Sequence, residues 1–133
     1  MSRYKEGAST KHRVVVHLVF CPKYRRRVLL GKVAERIREL FKECCEINEW
    51  EIHQLNVQKD HVHLLLQINP RDSIAQSVQY LKGGSSRLLR KEFPELEEFL
   101  WGDSFWGDGY FAESVGVVNE KLVKEYIQNQ NKS

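Results

Sequence analysis

Asp60-His61-Val62-His63-Leu64-Leu65-Leu66 decides how this chain folds, because a β-strand sends alternate side chains to the same side. His61 and His63 then share one face, while Val62, Leu64, Leu66 and Ile68 share the other. One face is fit for a core. The other carries two imidazoles about 7 Å apart along the strand, within reach of a single metal ion. Taken alone the pair admits two readings, hydrogen-bonded surface histidines or two ligands of one ion, and two ligands do not complete a divalent site. The best candidates to lie over that face are Tyr126 and Gln130, four residues apart and so on one side of a helix. Taken singly, Tyr126 also reads as a half-buried aromatic in an amphipathic stripe.

Working outward, Lys59-Asp60 turns the chain into this strand from another, Trp50 to Gln58, whose imperfect alternation of Ile52 against Leu55 and Val57 predicts a bulge or an edge position. Arg13 to Cys21 reads as a further strand with Val14, Val16, Leu18 and Phe20 toward the core and His17 on the opposite side. Pro22 stops it. Val33, Ile37, Leu40, Phe41, Cys44 and Ile47 then recur at helical spacing to about Asn48. Beyond the histidine strand, Asp72 or Ser73 can cap a second helix, with Ser73 and Gln76 in capping-box spacing and Ile74, Val78, Leu81, Leu88 and Leu89 on its apolar side; Gly83-Gly84 should interrupt it and Pro94 should end it. Phe105 to Val115 has the aromatic richness of a fourth strand or hairpin, despite Gly107 and Gly109. Gly116 punctuates, and a last helix runs over about 119–131 with Leu122, Tyr126 and Gln130 in one line.

Strand, helix, strand, strand, helix, strand, helix is a ferredoxin-like (RRM-like) α+β order with one extra terminal helix. It predicts a single domain over 1–133, an antiparallel sheet with both crossover helices on one face, and the first and third strands adjacent at its centre. His17 is then expected near His61 or His63.

Composition agrees. The 133 residues are 41% apolar and 11% aromatic, enough for a core and against disorder. No run approaches the ~20 apolar residues of a membrane span and the first eleven residues are polar, so a cytoplasmic, nucleoid-associated protein is expected, with no membrane partner. Three cysteines, Cys21 and the adjacent Cys44 and Cys45, fit neither a disulfide framework nor a zinc spacing and read as core thiols. The net charge is only +3, yet Lys23, Arg25, Arg26 and Arg27 crowd around Tyr24, and Lys82, Arg87, Arg90 and Lys91 gather later, which points to phosphate partners.

Together these segments resemble the single-tyrosine transposases of the His-hydrophobic-His (HUH) superfamily, in the insertion-sequence 200/605 class. The resemblance rests on His17-Leu18-Val19-Phe20 running into Pro22-Lys23-Tyr24-Arg25, on Asp60-His61-Val62-His63-Leu64, and on Leu81-Lys82-Gly83-Gly84-Ser85-Ser86. It continues through Gly109-Tyr110-Phe111 and Ser114-Val115-Gly116 to Tyr126-Ile127 with Gln130, and so covers nearly the whole chain. It implies that Tyr126 is a nucleophile and that His61, His63 and Gln130 bind Mg²⁺ or Mn²⁺, with no nucleotide cofactor. The implied reaction cleaves and rejoins single-stranded DNA at insertion-sequence ends through a 5′-phosphotyrosine. It also implies DNA hairpins as partners and a homodimer in which the terminal helix of one subunit completes the site of the other, hinged at Gly116. The natural phosphate contacts are Lys23, Arg25, Arg26, Arg27, Arg87 and Arg90. Trp101, Phe105, Trp106, Tyr110 and Phe111 are either base-stacking or core residues.

Two alternatives stay open. A domesticated, repeat-associated tyrosine transposase would share every motif. A non-catalytic RRM-like RNA-binding module would share the element order, but would carry aromatics where this chain has His17, His61 and His63.

Overall fold

The computed structural model describes residues 13–100 and 104–118. Its elements are β1 (Arg13–Phe20), a 3-10 turn (Lys23–Arg25), α1 (Gly31–Ile47), β2 (Glu51–Gln58), β3 (His61–Ile68), α2 (Ile74–Glu92), a second 3-10 turn (Pro94–Leu96), α3 (Glu97–Leu100) and β4 (Phe111–Val118). The predicted terminal helix over about 119–131, with Tyr126 and Gln130, lies outside the described residues. No helix among the described residues is long and apolar enough to cross a membrane.

Alternating side chains on β1 and β3 sort the sheet into two faces. Val16, Leu18 and Phe20 of β1 and Val62, Leu64, Leu66 and Ile68 of β3 enter one buried cluster with Val33, Ile37, Leu40 and Phe41 of α1 and Val78, Leu81 and Leu89 of α2. Both helices therefore pack on the same face. The strand order is β2-β3-β1-β4, every pair antiparallel, with β1 and β3 at the centre as the ferredoxin-like reading expects. β2 is both an edge strand and bulged: Ile52 pairs with Leu66 and Gln54 with Leu65, leaving His53 as the extra residue. The His53 ring nitrogen Nε2 reaches Gln67 Oε1 at 2.9 Å. β4 carries its own bulge, where Val15 pairs with Gly116 and Val16 with Ser114.

Two sequence expectations need correction. Gly83-Gly84 do not interrupt α2, which runs unbroken from Ile74 to Glu92. Each glycine weakens a helix by about 1 kcal/mol relative to alanine. The buried Leu81 and Leu89 on either side contribute about 1.5–3 kcal/mol each, so burial wins. The Ser73 cap is as read, its hydroxyl accepting from the Gln76 backbone N–H at 3.0 Å.

The second correction concerns β4, which starts at Phe111 rather than at Phe105. Phe105 and Trp106 are instead buried plugs in the connection leading to it. Trp106 packs near Phe20, Phe41 and Phe105, with ring centroids 6.0, 5.9 and 4.8 Å away. Its indole N–H donates to Ser85 Oγ at 2.8 Å, and the Ser85 hydroxyl reaches the Leu81 carbonyl at 2.5 Å. Backbone bonds clasp this connection to the end of β1: Lys23 N–H donates to Phe105 O and Gly107 N–H to Cys21 O, each at 2.8 Å. Aromatic density here marked core anchors: before β4 begins, the segment pairs through an isolated bridge from Trp106 to Pro22, just past the end of β1.

The cysteines are free thiols. Burial, with the neighbouring Cys44, pushes the Cys45 thiol up to about 12, so it is protonated and inert at neutral pH.

Candidate active site

The face of β3 turned away from the helices carries His61 and His63, both half-buried. Antiparallel pairing sets His63 opposite Val19 and His17 opposite Leu65, which brings two imidazoles from adjacent central strands together. His17 Nε2 lies 3.5 Å from His63 Nδ1, and the rings meet edge to face with centroids 4.0 Å apart. Burial lowers the pKa of His17, against the opposing charge of Glu113, its partner across β4. Burial also lowers that of His63, with the charges of His17 and His61 adding to the effect. Both rings are therefore neutral at pH 7, the form in which imidazole offers a lone pair.

His61 has a different neighbour. Its Nδ1 lies 2.9 Å from Asp60 Oδ1, and the other carboxylate oxygen accepts from Arg25 Nε at 3.0 Å. The hydrogen bond to His61, then that to Arg25, holds the Asp60 carboxyl below the usual carboxylate range. Arg25 reaches Asp60 from a turn in which Tyr24 and Arg25 are both left-handed, with φ of 60° and 51°. Such backbone disfavours non-glycine residues by about 1–2 kcal/mol each. The turn is held by the Arg25 N–H bond to Pro22 O at 2.8 Å.

Asp60 and Arg25 therefore form a support for His61 that the residue pattern did not disclose, although an aspartate directly before the first histidine was visible. Among the described residues no three His, Cys, Asp or Glu side chains gather as a metal cluster. Two imidazoles on one face, His61 and His63, fit part of a divalent donor set. Gln130, together with Tyr126, lies outside the described residues.

The basic residues fall in two places. Arg26 and Arg27 line an open surface pocket with Tyr24, Leu30, Leu96 and Phe99. Arg87 and Arg90 line a second cleft on α2 with Lys82, Ser86 and Gly107. Arg90 also bonds Glu97 at 2.9 Å, and Lys23 pairs with Asp108 at 3.1 Å. The loop at Gly107 to Gly109 links the two places, because Lys82 Nζ donates to Gly107 O at 2.6 Å while Asp108 takes Lys23. Tyr110 and Phe111 are exposed, whereas Phe105 and Trp106 belong to the core; Trp101 lies outside the described residues. Gly116 sits in β4 opposite Val15, beside the bulge.

The family described as "Transposase IS200 like" matches residues 10–130. The chain is 34% identical over 127 residues to the ISDra2 transposase TnpA of Deinococcus radiodurans, covering 96% of this chain and 91% of that protein. It is 33% identical over 130 residues to the transposase for insertion sequence element IS200 of Salmonella typhimurium, covering 98% and 85%. Among solved structures, a candidate transposase from D. radiodurans R1 superposes with a TM-score of 0.71 at 33% identity, over 89% of this chain and 91% of that one. A REP-associated tyrosine transposase bound to a REP hairpin superposes with a TM-score of 0.60 at 14% identity, over 85% and 61%, a likeness of fold. With a family match across nearly its whole length and one-third identity to transposases of two bacteria, this chain belongs to the IS200-like transposases, DNA-cleaving and strand-transferring enzymes.

Proposed function

We propose that this enzyme cleaves and rejoins single-stranded DNA at insertion-sequence ends, with Tyr126 as nucleophile and His61, His63 and Gln130 as ligands of Mg²⁺ or Mn²⁺. The observation that carries the reading is the pair of anchored imidazoles on the sheet face opposite the helices. The Tyr126 oxygen attacks the phosphorus, its proton passes to solvent, and the bond to the 3′ oxygen breaks. The products are a 5′-phosphotyrosine and a protonated 3′-hydroxyl. Attack by another 3′-hydroxyl reverses the step and releases the tyrosine, so no nucleotide cofactor is consumed. A phenol of pKa about 10 attacking a phosphodiester anion needs help, and the divalent ion, when bound, meets the charge on a non-bridging oxygen and steadies the leaving 3′ oxygen.

The chain's own part is to hold and orient. His61 and His63 present their rings from the central strand of the sheet, and Arg26, Arg27 and Arg87 offer phosphate contacts at its borders. DNA hairpins are the proposed substrate, as in the REP-hairpin complex of the more distant structure. We also propose a homodimer sharing the helix over about 119–131, and action in the cytoplasm at the nucleoid. One-third identity to insertion-sequence transposases favours a mobile element over a repeat-associated function.

Purified protein incubated with Mn²⁺ and a library of single-stranded hairpins should yield a DNA adduct that survives denaturing electrophoresis, and Tyr126→Phe should abolish it. His61→Ala should still bind hairpin DNA but not cleave it. An adduct formed by Tyr126→Phe, or tight RNA binding with no adduct from any hairpin, would overturn the reading.

A further inference from the structure

We propose that Asp60 and Arg25 are positioning residues that hold the His61 ring in one tautomer, with Nδ1 protonated and Nε2 bare. The functional use of this arrangement rests on the metal reading above.

A neutral imidazole carries one N–H, and the partner of each nitrogen decides where it sits. A carboxylate can only accept, so the nitrogen 2.9 Å from Asp60 Oδ1, His61 Nδ1, is the donor. His61 Nε2 is left with its lone pair. Arg25 holds the second carboxylate oxygen at 3.0 Å and so keeps Asp60 from turning away. Its guanidinium side chain is 67% exposed, so the Arg25–Asp60 pair adds little stability; its effect is on direction.

Metal-ligating histidines generally donate their other ring N–H in this way, and loss of such a partner weakens metal affinity by roughly 10- to 100-fold.

Long-range ¹H–¹⁵N spectra of the imidazole rings in the metal-free protein test the proposal independently of any metal. His61 should appear as the Nδ1–H tautomer. Asp60→Ala should move His61 toward the Nε2–H form and leave His63 unchanged. Arg25→Ala should broaden or partly shift His61. Mn²⁺ titration followed by electron paramagnetic resonance should then show roughly 10- to 100-fold weaker uptake by Asp60→Ala. An Nε2–H tautomer of His61 in the wild type, or an unmoved His61 ring in Asp60→Ala, would overturn the proposal. The correct tautomer in a wild type that takes up no Mn²⁺ would uphold it, and would instead remove the metal from the proposed function.

Discussion

The hydrogen bond from Trp106 to Ser85 offers a quantitative test of how the connection before β4 is anchored. Trp106→Phe removes the indole N–H and part of the packing against Phe20, Phe41 and Phe105, but leaves the Ser85 hydroxyl still donating to the Leu81 carbonyl. A lost neutral hydrogen bond is worth about 1 kcal/mol. The missing ring volume brings the total to roughly 2 kcal/mol, below the 3–5 kcal/mol typical of a tryptophan truncated to alanine. Ser85→Ala leaves a buried indole N–H with no acceptor, a penalty of about 1–3 kcal/mol. With the N–H already gone, that penalty disappears. In the Trp106→Phe background Ser85→Ala should therefore be milder by about 1–3 kcal/mol, so that the double variant is destabilised by less than the sum of the two single effects. Urea denaturation followed by far-ultraviolet circular dichroism suits the measurement, since fluorescence would change with the indole itself. Against a total stability of about 5–15 kcal/mol every variant stays folded. Two single effects that add to within about 0.3 kcal/mol would show that the bond contributes nothing and refute the reasoning.

Other expectations follow from the helix and from the buried rings. An added Cβ at Gly83 or Gly84 meets nothing within 4 Å, so each changed to alanine should raise the urea midpoint, by about 0.5–1 kcal/mol in stability; a fall would mean that α2 needs its glycines. His17 and His63 have folded pKa values below the ordinary 6.5, so as pH falls the unfolded chain takes up protons first. Stability is therefore fully present above about 6.5 and declines below it. Denaturation between pH 7.5 and 5 should trace that decline, and His17→Gln with His63→Gln should flatten it; an unchanged slope in the double variant would assign it to other groups. Asp60 and Glu92, held below the carboxylate range, act in the same direction but at lower pH.

What could be read in advance was what repeats locally. Alternation along Val14 to Phe20 and Val62 to Ile68 set the core face, and element order placed β1 beside β3, hence His17 near His61 or His63; the register of the pairing selects His63. The Ser73 cap needs only three residues of spacing, and it was legible. Gly83-Gly84 misled because local propensity is weaker than the burial of leucines one turn away. Phe105 and Trp106 misled because aromatics suit strands and cores alike, and only contacts with Phe20 and Phe41, distant in the chain, decide between them. The Arg25–Asp60 bridge spans 35 residues and depends on a left-handed turn at two residues that rarely adopt one, which no pattern of side-chain types encodes.

The division of β3 into two sides also bears on descent. Val62, Leu64, Leu66 and Ile68 seal the interior whatever stands at positions 61 and 63. On the proposed reading of His61 and His63 as ligands, a lineage can thus lose its chemistry by drift and keep its shape, a silent copy still folded around the same core.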